Sequence, residues 1–384
     1  MELTLWYILL YTASHSLGYD FIPDDTQVIV DVRPLSQYTL VTAHANAMQL
    51  RIPVLYDISI SQALPYTKAP ISGFWASSFL TASNGSQYFL VSGLLASQSI
   101  SAYGASILDL TTLQRHAFFH PASFSNTNLE SFNFSTNDYE FSGLPPHNLD
   151  MKLRSNSQSV LFDITLHATS SAVYYCGTGA YYYVNDTMYN WAFPASKTSG
   201  SISLPSGNSN NNNNNTTTTT TTTTKRFEQL ELDPSASLTW YDRVWGAAEL
   251  RNGNSTFFNL YFDNSDLILW APLVDSYDPP FISRSSNIRA RGESWHLLVP
   301  VDVFEASTDT MWTSPRTGLE YPQQWRVGVE GKGELVVRSV VGDQEIAAEG
   351  GGATYIGFVT FEGVFDEEAV SGFGGVELRR TALV

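Results

Sequence analysis

Residues 238–246, Leu-Thr-Trp-Tyr-Asp-Arg-Val-Trp-Gly, hold the side chains of this sequence that are best suited to chemistry. An Asp in apolar surroundings keeps its proton to a higher pH, so Asp242 is predicted to be an acid that can protonate an alkene. Arg243 and Tyr241 can donate hydrogen bonds to a carbonyl oxygen and stabilise the negative charge that develops on it. Asp242, Arg243 and Tyr241 are therefore the predicted catalytic residues.

The same segment predicts a β-strand held between two packed layers. Successive side chains of a strand face opposite sides, so Trp240 and Asp242 share one face while Tyr241, Arg243 and Trp245 share the other. Each face then carries an aromatic ring and a charge, which is typical of a strand with no wet side. Asp242 can act as an acid only if Arg243 points away from it and is paired elsewhere. The alternative interpretation is structural, with each charge capping backbone groups or forming ion pairs at a seam between domains.

Signatures of cofactor and metal chemistry are absent from the sequence. It contains no Gly-X-Ser-X-Gly, no His-Glu-X-X-His and no phosphate-binding loop, and its seven His residues show no ligand spacing. Cys176 is the single cysteine, which excludes an intramolecular disulfide and a cysteine-based zinc site. Residues 372–375, Gly-Phe-Gly-Gly, lie in a strand-like context and indicate tight packing. We therefore predict no cofactor and no metal.

The composition indicates a large all-β protein. The 384 residues are 43% hydrophobic and include 20 Tyr, 22 Phe and 9 Trp, which is ample for a packed core. Short alternating runs, such as Phe258, Leu260 and Phe262, recur at spacings typical of sandwiches and barrels, whereas helical periodicity is scarce. The net charge of −17 disfavours nucleic acid and anionic membrane surfaces as partners, because both would repel the protein.

Residues 1–18 are predicted to be a secretory signal peptide, so the protein is expected to be secreted or vesicular. Residues 3–11 form an apolar run too short to span a bilayer, and small residues follow at Ser14 and Ser16. Glu2 departs from the usual basic start, and the alternative is a buried first strand of an intracellular protein. Acceptor triplets for N-glycosylation agree with export. The predicted glycosylation sites are Asn84, Asn133, Asn185 and Asn254.

A polar tract divides the chain into two parts. Residues 210–215 are all Asn and residues 216–224 are all Thr, a composition with no apolar surface to bury. It predicts a disordered loop over residues 207–226. We expect an N-terminal domain at residues 19–206 and a C-terminal domain at residues 227–384.

Several stretches, taken in order, resemble the motifs of one protein family. They are a Trp–Asp–Arg motif at residues 238–246, an early strand pair at 74–88, the end of a first domain at 189–200, a second-domain signature at 312–325 and a last strand at 370–377. The set resembles the hydroxyneurosporene synthase-like (carotenoid hydratase) family, to which kievitone hydratase-like proteins, lipocalin-like Diels–Alderases and terpene cyclases are related. Ile356 stands where the family often has an acidic residue, and the Asn/Thr tract is an insertion.

The resemblance implies an N-terminal β-sandwich-like domain, a C-terminal lipocalin-like barrel, and an apolar pocket inside or between them for a lipophilic small molecule. No stable membrane span is expected. The sequence does not indicate which oligomeric state the protein adopts. The alternative for each aromatic residue is an ordinary place in the core, and for His296 a structural role beside Trp295. The predicted substrate-binding residues are Trp75, Ser77, Tyr189, Trp191, Trp240, Trp245, His296, Tyr355 and Glu377.

Three functions fit such a pocket. The preferred hypothesis is a cofactor-independent cyclase or pericyclase of Diels–Alder type in fungal secondary metabolism, because holding a polyene folded can remove up to about 7–11 kcal/mol from a barrier. The alternatives are a hydratase or hydro-lyase acting on a lipophilic natural product, and a non-catalytic carrier. A glycosidase is disfavoured, since no carboxyl pair stands out. A buried carboxyl group that faces the ligand would favour the hydratase, whereas a pocket without one would favour the pericyclase or the carrier.

Overall fold

The computed structural model describes residues 58–62, 71–97, 101–121, 132–183, 186–205, 227–246, 253–263, 267–277, 280–290, 296–348 and 351–380. The predicted signal peptide, the 207–226 tract and Asn185 lie outside these ranges. The described residues are almost entirely strands, which confirms the all-β prediction. They include one short helix, α1 (Ile58–Gln62), and one 3-10 turn, Tyr175–Gly177.

Thirteen of the strands belong to a first sheet. These are β1 (Ile71–Thr81), β2 (Gln87–Ser97), β3 (Ser101–Asp109), β4 (Arg115–Pro121), β5 (Asn133–Ser135), β6 (Tyr139–Gly143), β7 (Met151–Ser157), β8 (Val160–His167), β9 (Val173–Tyr174), β10 (Ala180–Tyr183), β11 (Asp186–Pro205), β12 (Phe227–Glu231) and β13 (Leu238–Gly246).

The remaining strands form a nine-stranded second sheet and a separate two-stranded hairpin, β18 with β19. They are β14 (Gly253–Phe262), β15 (Leu267–Tyr277), β16 (Pro280–Ala290), β17 (Leu297–Ala306), β18 (Met311–Thr313), β19 (Glu320–Pro322), β20 (Gln324–Val329), β21 (Gly333–Ser339), β22 (Glu345–Ala348), β23 (Gly351–Phe365) and β24 (Glu368–Arg380).

The first sheet runs in the order β4-β3-β2-β1-β13-β11-β8-β7-β6-β5, and β9, β10 and β12 also pair with β11. The division predicted at residue 227 therefore differs from the sheet pairing, because β12 and β13 follow the polar tract yet belong to the first sheet. Strand β13 lies between β1 and β11 and is antiparallel to both. This central place suits its sequence, since both of its faces carry large apolar side chains that only two flanking layers can bury.

The second sheet closes on itself. Pairing runs through β21-β20-β17-β16-β15-β14-β24-β23, and β23 also pairs with β21, so eight strands form a ring while β22 stands beside β23. This closed barrel confirms the predicted second unit, because an eight-stranded barrel is just wide enough for side chains or one small ligand. Its interior is filled by aromatic and aliphatic residues, including Trp325, Tyr355 and Phe361.

The apolar residues divide among three layers. One layer is the core of the first unit and contains Phe74, Trp191 and Tyr241. A second fills the barrel. The third lies between the two sheets, where rings from the first sheet meet rings from the barrel: Phe79 contacts Tyr261 at 5.2 Å, and Trp240 contacts Trp270 at 5.5 Å between ring centroids. This third layer contains the candidate site.

Among the residues that the structure describes, no helix is long and apolar enough to cross a membrane. Of the predicted glycosylation sites, Asn84 is exposed in the turn after β1 and Asn133 is exposed on β5. Asn254 is partly buried on β14. Glycosylation itself stays a prediction.

Candidate active site between the two sheets

A cavity of about 30 Å³ lies between the first sheet and the barrel. It has room for about two water molecules at roughly 10–15 Å³ each. Both sheets contribute to its wall, so it lies between the units and not inside the barrel. The lining residues are Trp75, Ser77, Trp240, Asp242, Phe257, Phe258, Asn259, Trp270, Ile356, Gly375, Val376 and Glu377.

Strand register brings the first-sheet side of the wall together. Trp75 on β1 lies directly opposite Asp242 on β13, and Ser77 lies opposite Trp240. On the other side of Asp242, its partner on β11 is Ala192. Directly opposite residues of neighbouring strands point to the same face, so these side chains form one compact group. The sequence-predicted residues Trp75, Ser77, Trp240 and Asp242 are thus adjacent in the structure.

The indole ring of Trp75 lies flat against the sheet because a glycine faces it. Gly93 is its partner on β2, and a Cβ atom at that position would lie 2.0 Å from a ring carbon of Trp75. No other residue type leaves room for the ring in this orientation. The Nε1 atom of Trp75 is buried and has no hydrogen-bond partner among the described residues.

Asp242 has the electrostatics of an acid that is protonated at neutral pH. Burial, followed by the nearby negative charge of Glu377, raises the pKa of its carboxyl group from 3.8 to about 8. Hydrogen bonding by the Trp240 and Asn190 side chains opposes this shift without cancelling it. Its Oδ1 atom is buried and lacks a hydrogen-bond partner within the described part of the chain. This unused oxygen belongs to a side chain that lines the cavity.

Glu377 enters the wall from the barrel. It lies on β24, opposite Phe257 on β14 and Ile356 on β23. Its carboxylate accepts a 2.9 Å hydrogen bond from Nε of Arg379, two residues along the same strand. The cavity therefore contains two carboxyl groups in different surroundings, one raised in pKa by burial and one paired with a cation.

Arg243 and Tyr241 lie on the opposite face of β13, in the core of the first unit. The fully buried Arg243 side chain donates to the backbone oxygens of Ser61 at 3.2 Å, Gly73 at 3.3 Å and Val244 at 2.6 Å. Tyr241 donates to Oε1 of Gln62 at 2.7 Å, and burial raises the pKa of its phenol. The predicted catalytic set is thus divided between two faces, with Asp242 alone at the cavity.

Three predicted wall residues also lie away from the cavity. Trp191, Trp245 and Tyr189 belong to or pack against the core of the first unit. Trp191 donates through Nε1 to Ser61 at 2.9 Å, and Tyr189 stacks on Trp245 with ring centroids 5.2 Å apart. The aromatic residues predicted to bind substrate are therefore divided between the core of the first unit and the cavity. Strand alternation decides which of the two each residue faces.

His296 and Tyr355 are likewise outside the lining. Burial and the positive charge of Arg289 lower the pKa of His296 to about 4, so its imidazole is neutral at neutral pH. Tyr355 belongs to the barrel core and donates from its hydroxyl to Oε1 of Gln323 at 3.1 Å. Neither His296 nor Tyr355 lines the cavity that contains Asp242.

The barrel side of the cavity wall and one hydrogen-bond partner of Asp242 were not predicted from the sequence. Phe257, Asn259 and Trp270 line the cavity from β14 and β15, and the buried Asn190 bonds to Asp242 from β11. The signal that could have identified Asn259 is a single polar residue inside the apolar run at residues 257–262. In the described ranges, no group of three or more His, Cys, Asp or Glu is placed to hold a metal ion.

Known proteins share this architecture. Kievitone hydratase of Fusarium solani subsp. phaseoli is 29% identical over 329 residues, which cover 85% of this chain and 86% of the relative. The dehydratase asqC of Emericella nidulans is 28% identical over 349 residues, covering 88% of this chain and 92% of the relative. The crystal structure of kievitone hydratase from Nectria haematococca matches with a TM-score of 0.74 at 26% identity, over 86% of this chain and 94% of that chain.

The chain is similar over most of its length to kievitone hydratase, in sequence and in fold. The finding confirms the resemblance identified from the sequence motifs. A structure of CghA with Sch210972 is similar in fold alone, with a TM-score of 0.51 at 10% identity over 81% of this chain and 88% of that chain. No family model matches the chain. The two relatives found by sequence are enzymes, a hydratase and a dehydratase.

Proposed function

We propose that this protein is a hydro-lyase that adds water to, or removes water from, a carbon–carbon double bond of a lipophilic small molecule. The observation that carries the proposal is Oδ1 of Asp242, a buried carboxyl oxygen without a hydrogen-bond partner among the described residues, on a side chain that lines an aromatic cavity. A protonated carboxyl group at such a place can donate its proton to a molecule bound in the cavity. The hydratase and dehydratase relatives support the same reaction class.

In the hydration direction, the O–H bond of protonated Asp242 breaks and its proton forms a C–H bond with one alkene carbon. The neighbouring carbon, now electron-deficient, accepts a lone pair of water to form the C–O bond. The added water then loses a proton to a carboxylate, either Asp242 or Glu377. The balance is one alkene and one water to one alcohol. Dehydration follows the same steps in reverse.

The aromatic wall assists this chemistry by stabilising positive charge. Trp75, Trp240 and Trp270 line the cavity together with Asp242, and the face of an indole ring attracts a cation. The same feature supports a second candidate, a cationic cyclisation in which a double bond of the substrate, instead of water, attacks the electron-deficient carbon. The pericyclase and the carrier stay predictions. Neither of them uses a proton donor.

Substrate binding requires the wall to move. The cavity of about 30 Å³ is far smaller than the pockets of roughly 300–1,000 Å³ that typically bind drug-sized ligands. The space present accommodates water beside Asp242, and a lipophilic molecule would enter by displacing rings of the layer between the sheets. We expect binding to be accompanied by a change in tryptophan fluorescence.

The test is turnover of candidate lipophilic enones and alkenols in ¹⁸O-labelled water, with Asp242→Asn beside the unmodified protein. A hydro-lyase incorporates ¹⁸O into the alcohol, or releases water from it, and Asp242→Asn loses this activity while melting normally. Cyclised product without incorporated oxygen would favour the cyclase. Tight binding with no product would favour the carrier and overturn the hydro-lyase.

We also propose that the protein is exported and glycosylated. The exposure of Asn84 and Asn133 supports this, because an acceptor site must be accessible to receive a sugar chain. Expression in a fungal host tests the proposal through secretion into the medium and a mass shift on treatment with an endoglycosidase. An intracellular protein without that shift contradicts it.

A further inference from the structure

Strand β16 carries a row of polar side chains, two of them buried, and it pairs with β15, which contributes Trp270 to the cavity wall. Ser285, Asn287 and Arg289 alternate along the strand, and their partners on β15 include Trp270, opposite Asn287, and Ile268, opposite Arg289. Because opposite residues share a face, the row points into the layer between the sheets. Trp270 also lines the cavity, so Asn287 lies next to a residue of the cavity wall, although the row itself is outside the lining.

Two members of this row have polar atoms without a hydrogen-bond partner among the described residues. They are Oδ1 and Nδ2 of Asn287, and Nε and Nη2 of Arg289. The third member, Ser285, is hydrogen-bonded to the side chain of Cys176. Asn287 and Arg289 are each only 2% exposed. Buried polar groups in native proteins almost always have partners, so a cluster of unpaired ones indicates a missing ligand or water.

Arg289 has a specific geometry within this row. Its Nη1 atom donates to the backbone oxygens of Ser171 at 2.7 Å and Ala172 at 3.2 Å, which anchors the guanidinium to the first sheet's side of the layer. The two atoms left over, Nε and Nη2, form one edge of the planar group. That edge presents two parallel N–H donors, the arrangement that binds a carboxylate through two hydrogen bonds.

The charge of Arg289 is also unbalanced. It forms no ion pair in the described part of the chain, and the groups that act on it electrostatically are the phenols of Tyr261 and Tyr174. Burial lowers its pKa to about 10, so the guanidinium is still charged at neutral pH. His296, which is close enough for Arg289 to depress its pKa, is neutral there. An isolated buried cation is costly unless an anion completes the site.

We propose that the Nε–Nη2 edge of Arg289, with Asn287 beside it, binds the carboxylate group of a lipophilic ligand that reaches it through the cavity. Arg289 supplies two parallel hydrogen bonds, and the Asn287 amide supplies a further one. The proposed binding of a carboxylate depends on these residues alone. The role of this Arg289 site in selecting carboxylate-bearing substrates for Asp242 rests on the proposed hydro-lyase function.

Calorimetric titration with sodium benzoate, and with the uncharged isostere benzamide, tests the site. We expect benzoate to bind the unmodified protein at least about tenfold more tightly than benzamide, because only the carboxylate pairs with the cation. Arg289→Lys keeps the charge but loses the planar fork, and we expect it to weaken benzoate binding about tenfold or more. Asn287→Ala provides a second variant should Arg289→Lys fold poorly, with a smaller loss of the same kind.

Arg284→Lys is the matched control, since Arg284 lies on the same strand with its guanidinium beside Asp275 and Phe304. It should bind benzoate like the unmodified protein. Equal binding of benzoate and benzamide, or unchanged benzoate binding in both site variants, overturns the proposal. Asp242→Asn separates this site from the reaction: it should keep benzoate binding while losing turnover, so loss of one does not imply loss of the other.

Discussion

Asp242 and Arg243 are consecutive residues whose charged groups lie on opposite faces of one strand. The carboxyl group of Asp242 faces the cavity between the sheets, whereas the guanidinium of Arg243 is buried against the Phe74 ring, 4.1 Å from its centroid. Arg379 lowers the pKa of Asp242, but its effect is smaller than that of burial, which raises it. Burial of Asp242 on the cavity side of the strand thus keeps its carboxyl group protonated at neutral pH.

Replacement of Asp242 by Asn should strongly reduce turnover and change how stability depends on pH. The carboxyl pKa is higher in the folded protein than its ordinary value of 3.8, so its stabilising contribution is complete below about pH 3.8 and is lost as pH rises through about 8. This group should therefore lower the melting temperature of the unmodified protein progressively as pH rises from about 4 to about 8, with no further effect at higher pH. Asp242→Asn should lose less over that interval, and its turnover should fall about 10²–10⁴-fold.

Activity measured against pH gives an independent check of the same residue. If Asp242 is the proton donor, kcat declines as pH rises through about 8, because the proton is then missing. A profile that instead rises through that range would assign Asp242 the role of a base.

Arg243→Lys should destabilise the protein without altering the chemistry of the molecules that remain folded. Lysine cannot reproduce the three backbone hydrogen bonds of the buried guanidinium, and we expect a loss of about 2–4 kcal/mol in the free energy of unfolding. Urea denaturation measures it. Arg338→Lys, at an exposed ion pair with Glu362, is the control and should change little. A stable Arg243→Lys protein with lost turnover would return Arg243 to the catalytic set.

Gly93→Ala should disturb the site through Trp75 alone. The new methyl group would lie 2.0 Å from the indole ring and push it toward the cavity. We expect a higher KM and a melting temperature lowered by a few degrees. Adding Trp75→Leu to Gly93→Ala removes the clash, so the pair should show strong non-additivity in a double-mutant cycle. Additive effects would mean that Gly93 acts elsewhere.

Acidification should destabilise the protein partly through His296. Its folded-state pKa of about 4 lies below the ordinary value of 6.5, so stability is complete above about pH 6.5 and falls as pH decreases toward 4. His296→Gln should flatten the decline in melting temperature over that interval. His120→Gln, at an exposed position on β4, should leave the decline unchanged.

Sequence alone predicted the face that each side chain of β13 takes, because strand alternation has a period of two and both charges fall within one run. It could not predict which face would be the site. That choice depends on the barrel strands that cover Trp240 and Asp242, and these strands come from distant parts of the chain. For the same reason Phe257, Asn259 and Trp270 were missed, while Trp191 and Trp245, with the same aromatic character, lie in the core.

The position of β13 has a consequence for any attempt to divide the protein. The strand in the middle of the first sheet is supplied from beyond the Asn/Thr tract, so cutting the chain between residues 205 and 227 would leave the leading fragment with a slot where β1 and β11 should meet a neighbour. The C-terminal fragment would contain Asp242 but lack Trp75, which lies opposite it on β1. The two parts of the chain therefore depend on each other for folding. Separately expressed fragments would restore Asp242 to its place only if β13 paired again with both β1 and β11.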